Sequence, residues 1–155
     1  MRRTSIVPVL AAGALLAGCG GGGSSGLREG VYQFELSPQY LRQHGIPAEQ
    51  ATNESGVHRI TLDRGSFIDR WQTPDGTAGF CIGVYSQGGN RVTVRWTGGC
   101  SGDWAMSYSI DGDRVTWSDF QPLDPNAGPE DKRVTEVFNS VPWTRIGGVP
   151  AQRGQ

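Results

Sequence analysis

The chain is short of most side chains that carry chemistry. Of its 14 basic residues only Lys132 is lysine; there are 2 histidines, His44 and His58, and 3 cysteines, Cys19, Cys81 and Cys100. Formal net charge is −1, and loss of a leader bearing Arg2 and Arg3 would make it more negative. A mildly acidic chain without a basic stripe is a poor partner for phosphate backbones, so nucleic acid is set aside. Neither histidine has ligand spacing to a cysteine, so no metal site is expected. No phosphate loop, paired-cysteine zinc site or His-Glu-x-x-His occurs. The segment from Gly83 to Gly88 misses Gly-x-Ser-x-Gly because its first glycine comes one place early. Asp111-Gly112-Asp113 lacks the further acidic ligands of a calcium loop and reads as a hairpin turn. No catalytic set is left, so neither enzyme activity nor a cofactor is expected.

What is present is alternation. Six runs (57–62, 66–71, 77–85, 91–96, 103–110 and 114–118) alternate apolar and polar residues, as half-buried strands do. Between them stand Asp63-Arg64-Gly65, Thr73-Pro74-Asp75-Gly76, Gly88-Gly89-Asn90, Gly98-Gly99-Cys100-Ser101-Gly102 and Asp111-Gly112-Asp113, turn formers each with a backbone reason to be there. Hairpins this short make sequence neighbours sheet neighbours, which is a meander. An opening strand is expected over 30–36, with Tyr32, Phe34 and Leu36 on one face. Ser37-Pro38 is an N-cap followed by an N1 proline, giving a helical turn over 39–44 closed by Gly45. Residues 46–56 form an irregular or weakly helical crossover. After a Pro-rich loop, Val134, Val137, Phe138 and Val141 make the stripe of a helix over 129–141, and 142–146 supplies a closing strand.

Period-two alternation also assigns faces. Leu62 is expected opposite Phe67, Ile60 opposite Asp69, Asp69 opposite Phe80 and Phe67 opposite Ile82. Further along, Ile82 meets Trp96, Val84 meets Val94, Tyr108 meets Val115 and Met106 meets Trp117. This gathers His58, Phe80, Ile82, Val84, Val92, Trp104 and Ile110 with those residues on one inner face. Arg59, Arg70, Thr93, Arg95 and Ser109 fall outside. Six strands plus an opening and a closing one make eight, and closure removes both sheet edges. The expected fold is therefore all-β: a single antiparallel up-and-down β-barrel of about eight strands, with short helices near the first and last. A two-sheet sandwich with the same meander is the alternative.

The N-terminus carries an address. Arg2 and Arg3 precede an apolar run over 6–16, too short to span a bilayer, which ends in Leu16-Ala17-Gly18-Cys19. This run resembles the signal peptide and lipobox of bacterial lipoproteins, in which the cysteine carries lipid and becomes the first residue. An ordinary signal peptide with a chance cysteine is the competing reading. The resemblance implies lipidation of Cys19 and an extracytoplasmic protein anchored to the cell membrane by N-terminal lipid. Domain bounds follow: signal peptide 1–18, lipidated cysteine and Gly/Ser linker 19–26, barrel 27–147, flexible tail 148–155. With Cys19 assigned, Cys81 and Cys100 remain as an even pair in an oxidising compartment. Pairing 82 with 96 brings Cys81 near the loop that holds Cys100, so a disulfide is expected, worth about 3 kcal/mol for a loop of this length.

Gly30-Val31-Tyr32 resembles the Gly-x-Trp motif on the first strand of lipocalins and other calycins, with Tyr for Trp. Arg145, on the closing strand after a helix, is similar to the arginine that those barrels lay across that ring. The resemblance implies that Tyr32 and Arg145 close the barrel. Cys81-x-Gly83-x-Tyr85, Trp96-x-Gly98-x-Cys100 and Pro142-Trp143-Thr144-Arg145-Ile146 resemble small extracytoplasmic barrels of high-GC Gram-positive bacteria, supporting the same address and fold.

Two sets of inner-face residues have competing readings. His58 and Asp69 are either a satisfied polar pair at the barrel rim or a ligand contact. The tryptophans either fill the core or line a ligand site. The ligand reading places a small, largely apolar guest against Trp71, Trp96, Met106, Tyr108 and Trp117, with His58 and Asp69 at its polar end. The other functional reading is a non-catalytic interaction module with an envelope protein partner. Interior volume separates them.

Overall fold

Eight antiparallel strands close into one up-and-down barrel in the computed structural model, which describes residues 26–150. The elements are β1 (Gly30–Leu36), α1 (Pro38–Gln43), α2 (Ala48–Asn53), β2 (Gly56–Asp63), β3 (Ser66–Gln72), β4 (Ala78–Gly88), β5 (Arg91–Gly98), β6 (Trp104–Asp111), β7 (Arg114–Pro122), α3 (Pro129–Phe138) and β8 (Trp143–Gly147). The stretch read as a signal peptide, Cys19, the segment before Gly26 and the residues beyond Pro150 lie outside the described residues.

Sequence order sets the two ends of the barrel. Short turns at 64–65, 89–90 and 112–113 form the turn end, where both described chain ends also lie. The helices and the longer connections form the helix end. Ser37 caps α1 as its sequence predicts, its Oγ accepting from the Tyr40 N–H at 3.0 Å, and the crossover holds α2. α3 stops at Phe138 rather than Val141. Asn139 ends it by turning its side-chain amide back onto the Thr135 carbonyl at 2.9 Å. Arg133 on α3 donates to the carbonyls of His44 and Gly45, and Tyr40 and Ser140 hydroxyls meet at 2.6 Å, so α1 and α3 hold each other across this end.

The β2–β3 register is the expected one, with Leu62 opposite Phe67 and Ile60 opposite Asp69. β4 is turned over. Asp69 faces Cys81 instead of Phe80, Phe67 faces Gly83 instead of Ile82, Trp96 faces Gly83, and Val94 faces Tyr85. Phe80, Ile82 and Val84, expected inside, are 55%, 39% and 50% exposed. The cause is one residue at each flanking turn. Thr77 joins the turn before β4: the Thr73 N–H donates to the Thr77 carbonyl at 2.8 Å, and Asp75 Oδ1 accepts from the Thr77 N–H at 3.1 Å. After β4, Gly88 pairs with Arg91, leaving only Gly89 (φ 60°) and Asn90 in the turn. A Gly in that conformation at the first position is what a two-residue hairpin of this hand needs. The two slips cancel, so β3 and β5 keep their expected faces while β4 alone reverses.

At the β6–β7 turn the slip is two residues. Tyr108 pairs with Trp117, and Ile110 with Val115. An even shift leaves faces unchanged, although it carries Ile110 to the strand end, where it is 38% exposed.

Candidate functional site

β4 presents Gly79, Cys81 and Gly83 inward, and this thin wall shapes the interior. A side chain at Gly79 would run into the Trp71 indole, and one at Gly83 into the Arg95 carbonyl and the Trp96 ring. The missing side chains let the two neighbouring tryptophans lean over β4. They leave a cavity of about 150 Å³ at the helix end of the lumen. Phe34, Phe67, Trp104, Met106 and Trp143 complete its apolar wall, and Val134 and Phe138 of α3 lie over it. Cys100 and Ser101, both exposed, line its outer part, so the space reaches the surface there. The Cys81–Cys100 disulfide forms part of this wall, with Cα atoms 5.2 Å apart, and pins the 99–102 loop to β4.

Five of the residues expected to contact a ligand line this cavity: His58, Asp69, Trp71, Trp96 and Met106. Tyr108 and Trp117 do not. They pack in the turn-end half, edge to face with centroids 5.9 Å apart, and Trp117 packs onto Trp143 at 4.6 Å. The Tyr108 hydroxyl is held there, donating to the Gly89 carbonyl at 2.9 Å and accepting from the Leu27 N–H at 3.1 Å. Glu54, which no motif or alternation singles out, also lines the cavity. It belongs to the crossover, where no alternation marks which side chains turn inward.

His58 sits in a stack of rings. It lies between Phe34 (centroids 4.6 Å, 12° between planes) and Trp71 (5.5 Å, 18°), and Phe34 stacks in turn on Trp143 (5.5 Å, 7°). Both imidazole nitrogens are engaged. Nε2 is 2.9 Å from the Glu54 carbonyl, which can only accept, so Nε2 carries a hydrogen. Nδ1 is 3.1 Å from Asp69 Oδ2, and that contact needs a hydrogen as well. Trp71 Nε1–H donates to the Asn53 carbonyl at 2.8 Å. Thus two ring nitrogens satisfy carbonyls at the C-terminal end of α2 and set Glu54 at the mouth.

The Glu54 carboxyl is pushed above the usual carboxylate range by burial. The amide of Gln50 at 3.3 Å and the nearby His58 offset this only in part. At the turn end Tyr32 and Arg145 are ladder partners, as barrel closure requires. Tyr32 donates to the Arg28 carbonyl at 2.6 Å, and Arg145 Nη2 donates to the Glu29 carbonyl at 3.0 Å. Burial raises the Tyr32 phenol above its ordinary pKa, opposed by the charges of Arg145 and Arg28, so it stays a donor.

No family model matches the chain, and no curated protein or solved structure matches it.

Proposed function

We propose that this is a membrane-anchored extracytoplasmic lipoprotein whose barrel binds a small, largely apolar ligand without catalysing a reaction. One observation carries the binding reading: an aromatic-walled space of about 150 Å³ inside the barrel, reaching the surface at the helix end. Apolar cavities of about this size hold guests as large as benzene, so a compact molecule fits and a long acyl chain does not. Topology supports an aqueous route. Gly26 packs beside Gln87 and Leu27 is held by Tyr108, both at the turn end. A lipid on Cys19 would put that end toward the membrane and the cavity mouth away from it.

Mass spectrometry of protein extracted from its native membrane tests the anchor: a diacylglyceryl-modified Cys19 N-terminus is expected, and soluble, unlipidated protein would overturn it. Titration with benzene, toluene and fatty acids, followed by tryptophan emission and melting temperature, tests the carrier. Trp96→Phe should remove much of the emission response, because Trp96 lines the cavity, and Trp117→Phe should leave it. If no compound shifts either signal at about 100 µM, a concentration at which a ligand of low-micromolar Kd stabilises measurably, the carrier reading fails. The second reading, an interaction module of a cell-envelope or transporter-associated complex, then stands. It is favoured by the apolar row Phe80, Ile82 and Val84 on the outside of β4.

A further inference from the structure

The cavity's charge is one-sided. Its polar lining includes two carboxyl groups, Asp69 and Glu54, and neither Lys nor Arg is among its lining residues. The sole basic residue of the lining, His58, has both nitrogens engaged, one by Asp69 and one by the Glu54 carbonyl. Among the described residues the Glu54 carboxylate accepts only from the neutral amide of Gln50, at 3.3 and 3.4 Å, and its one cationic neighbour in the cavity, His58, is shared with Asp69. Among the described residues Asp69 accepts from one donor, His58, on a side chain that is 14% exposed. The indoles of Trp71, Trp96 and Trp104 line the same space. Indole faces carry negative potential and attract cations, most strongly when water is excluded.

Resting on the reading of this space as a ligand site, we propose that its ligand is a small organic cation, an amine or quaternary ammonium group. The cation packs against the tryptophan faces and completes the charge of Glu54, with Asp69 accepting any N–H it offers. Size agrees, since tetramethylammonium is of benzene-like bulk and a cavity of about this volume holds benzene. An anion is disfavoured on the same grounds, meeting two carboxyl groups and no free donor cation. The raised pKa of Glu54 agrees, since burial outweighs what the Gln50 amide and the nearby His58 return.

The test compares a cation with its neutral isostere on the full chain. Choline and dimethylbutanol have nearly the same shape and differ in charge. Tryptophan emission and isothermal titration should show choline binding about tenfold more tightly, the preference expected of a desolvated cation–π contact with a carboxylate nearby. Glu54→Gln should remove most of that preference, weakening choline far more than dimethylbutanol. Circular dichroism would confirm that the variant is folded, and Trp104→Phe, which keeps an aromatic face, should weaken choline less than Trp104→Leu. Equal affinity for the two compounds would overturn the cation inference and leave the carrier reading intact. Binding of neither by the folded protein would overturn the cation inference, and the carrier reading falls with it only if benzene and toluene are silent as well.

Discussion

The two ends of the barrel solve the interior differently. At the turn end, large side chains fill the lumen, and the two tyrosines bring their hydroxyls to backbone partners: Tyr32 to Arg28, Tyr108 to Gly89 and Leu27. At the helix end, the wall is thinned by Gly79 and Gly83, the rings tilt inward over the gap, and helices rather than side chains cover the opening. An eight-stranded barrel is near the size at which side chains either fill the interior or leave room for one small molecule. This protein does both, one at each end. The filled half fixes the frame, and the open half is built on it with Trp143 as the shared boundary, 1% exposed and touching Trp117 on one side and Phe34 on the other.

The contrast is tested most severely by emptying the filled half. Trp117→Ala should cost about 3–5 kcal/mol in chemical denaturation, because no neighbour can collapse into the space. Trp96→Ala, whose ring already faces a cavity and is partly exposed, should cost clearly less; equal losses would remove the distinction between the ends. The paired change Cys81→Ala with Cys100→Ala should cost about 3 kcal/mol in the chain-entropy model. It should also speed proteolysis within 99–102, the loop that the bridge ties to the cavity wall. At the turn end, Tyr32→Phe deletes one buried hydroxyl donor and should cost about 1 kcal/mol. No change in urea midpoint would mean that Arg28 and Arg145 hold that end without it.

Glu54→Gln at the helix end has the opposite sign. The folded-state pKa of Glu54 lies above its ordinary value, so its protonated form is favoured by folding. Its stabilising contribution is present below the ordinary carboxylate pKa and is lost as pH rises through the raised folded value. The amide should therefore match wild type in acid and exceed it above that window, by no more than about 1 kcal/mol; melting curves across pH 4–8, spanning the ordinary and raised carboxyl ranges, would show it. A variant less stable than wild type at neutral pH would mean that Glu54 is already well compensated. The smallest effect is expected on the outside of β4. Ile82→Thr should stay within about 0.5 kcal/mol, as exposed substitutions do. A loss of about 2 kcal/mol would place Ile82 in the core and restore the register read from alternation alone.

That strand marks the boundary of what the sequence determines. Alternation and turn residues specify eight strands joined in sequence order, and with edges to remove that order closes into a barrel. Ser37-Pro38 dictates where α1 begins, and an even cysteine pair, one on β4 and one in the loop just after β5, dictates the bridge. The facing of β4 is different in kind. Gly79-Phe80-Cys81-Ile82-Gly83-Val84 alternates equally well in either phase, and its hydrophobic set points to the wrong one. The choice was made by the neighbours, since the Trp71 and Trp96 rings need glycine beside them and Cys81 must turn inward to reach Cys100. Only three-dimensional packing could decide this, because a one-residue difference in turn length reverses a strand while leaving its pattern intact. The cavity is likewise a tertiary fact. It is the volume that eight strands and three helices fail to fill, and no single stretch of the chain records that remainder.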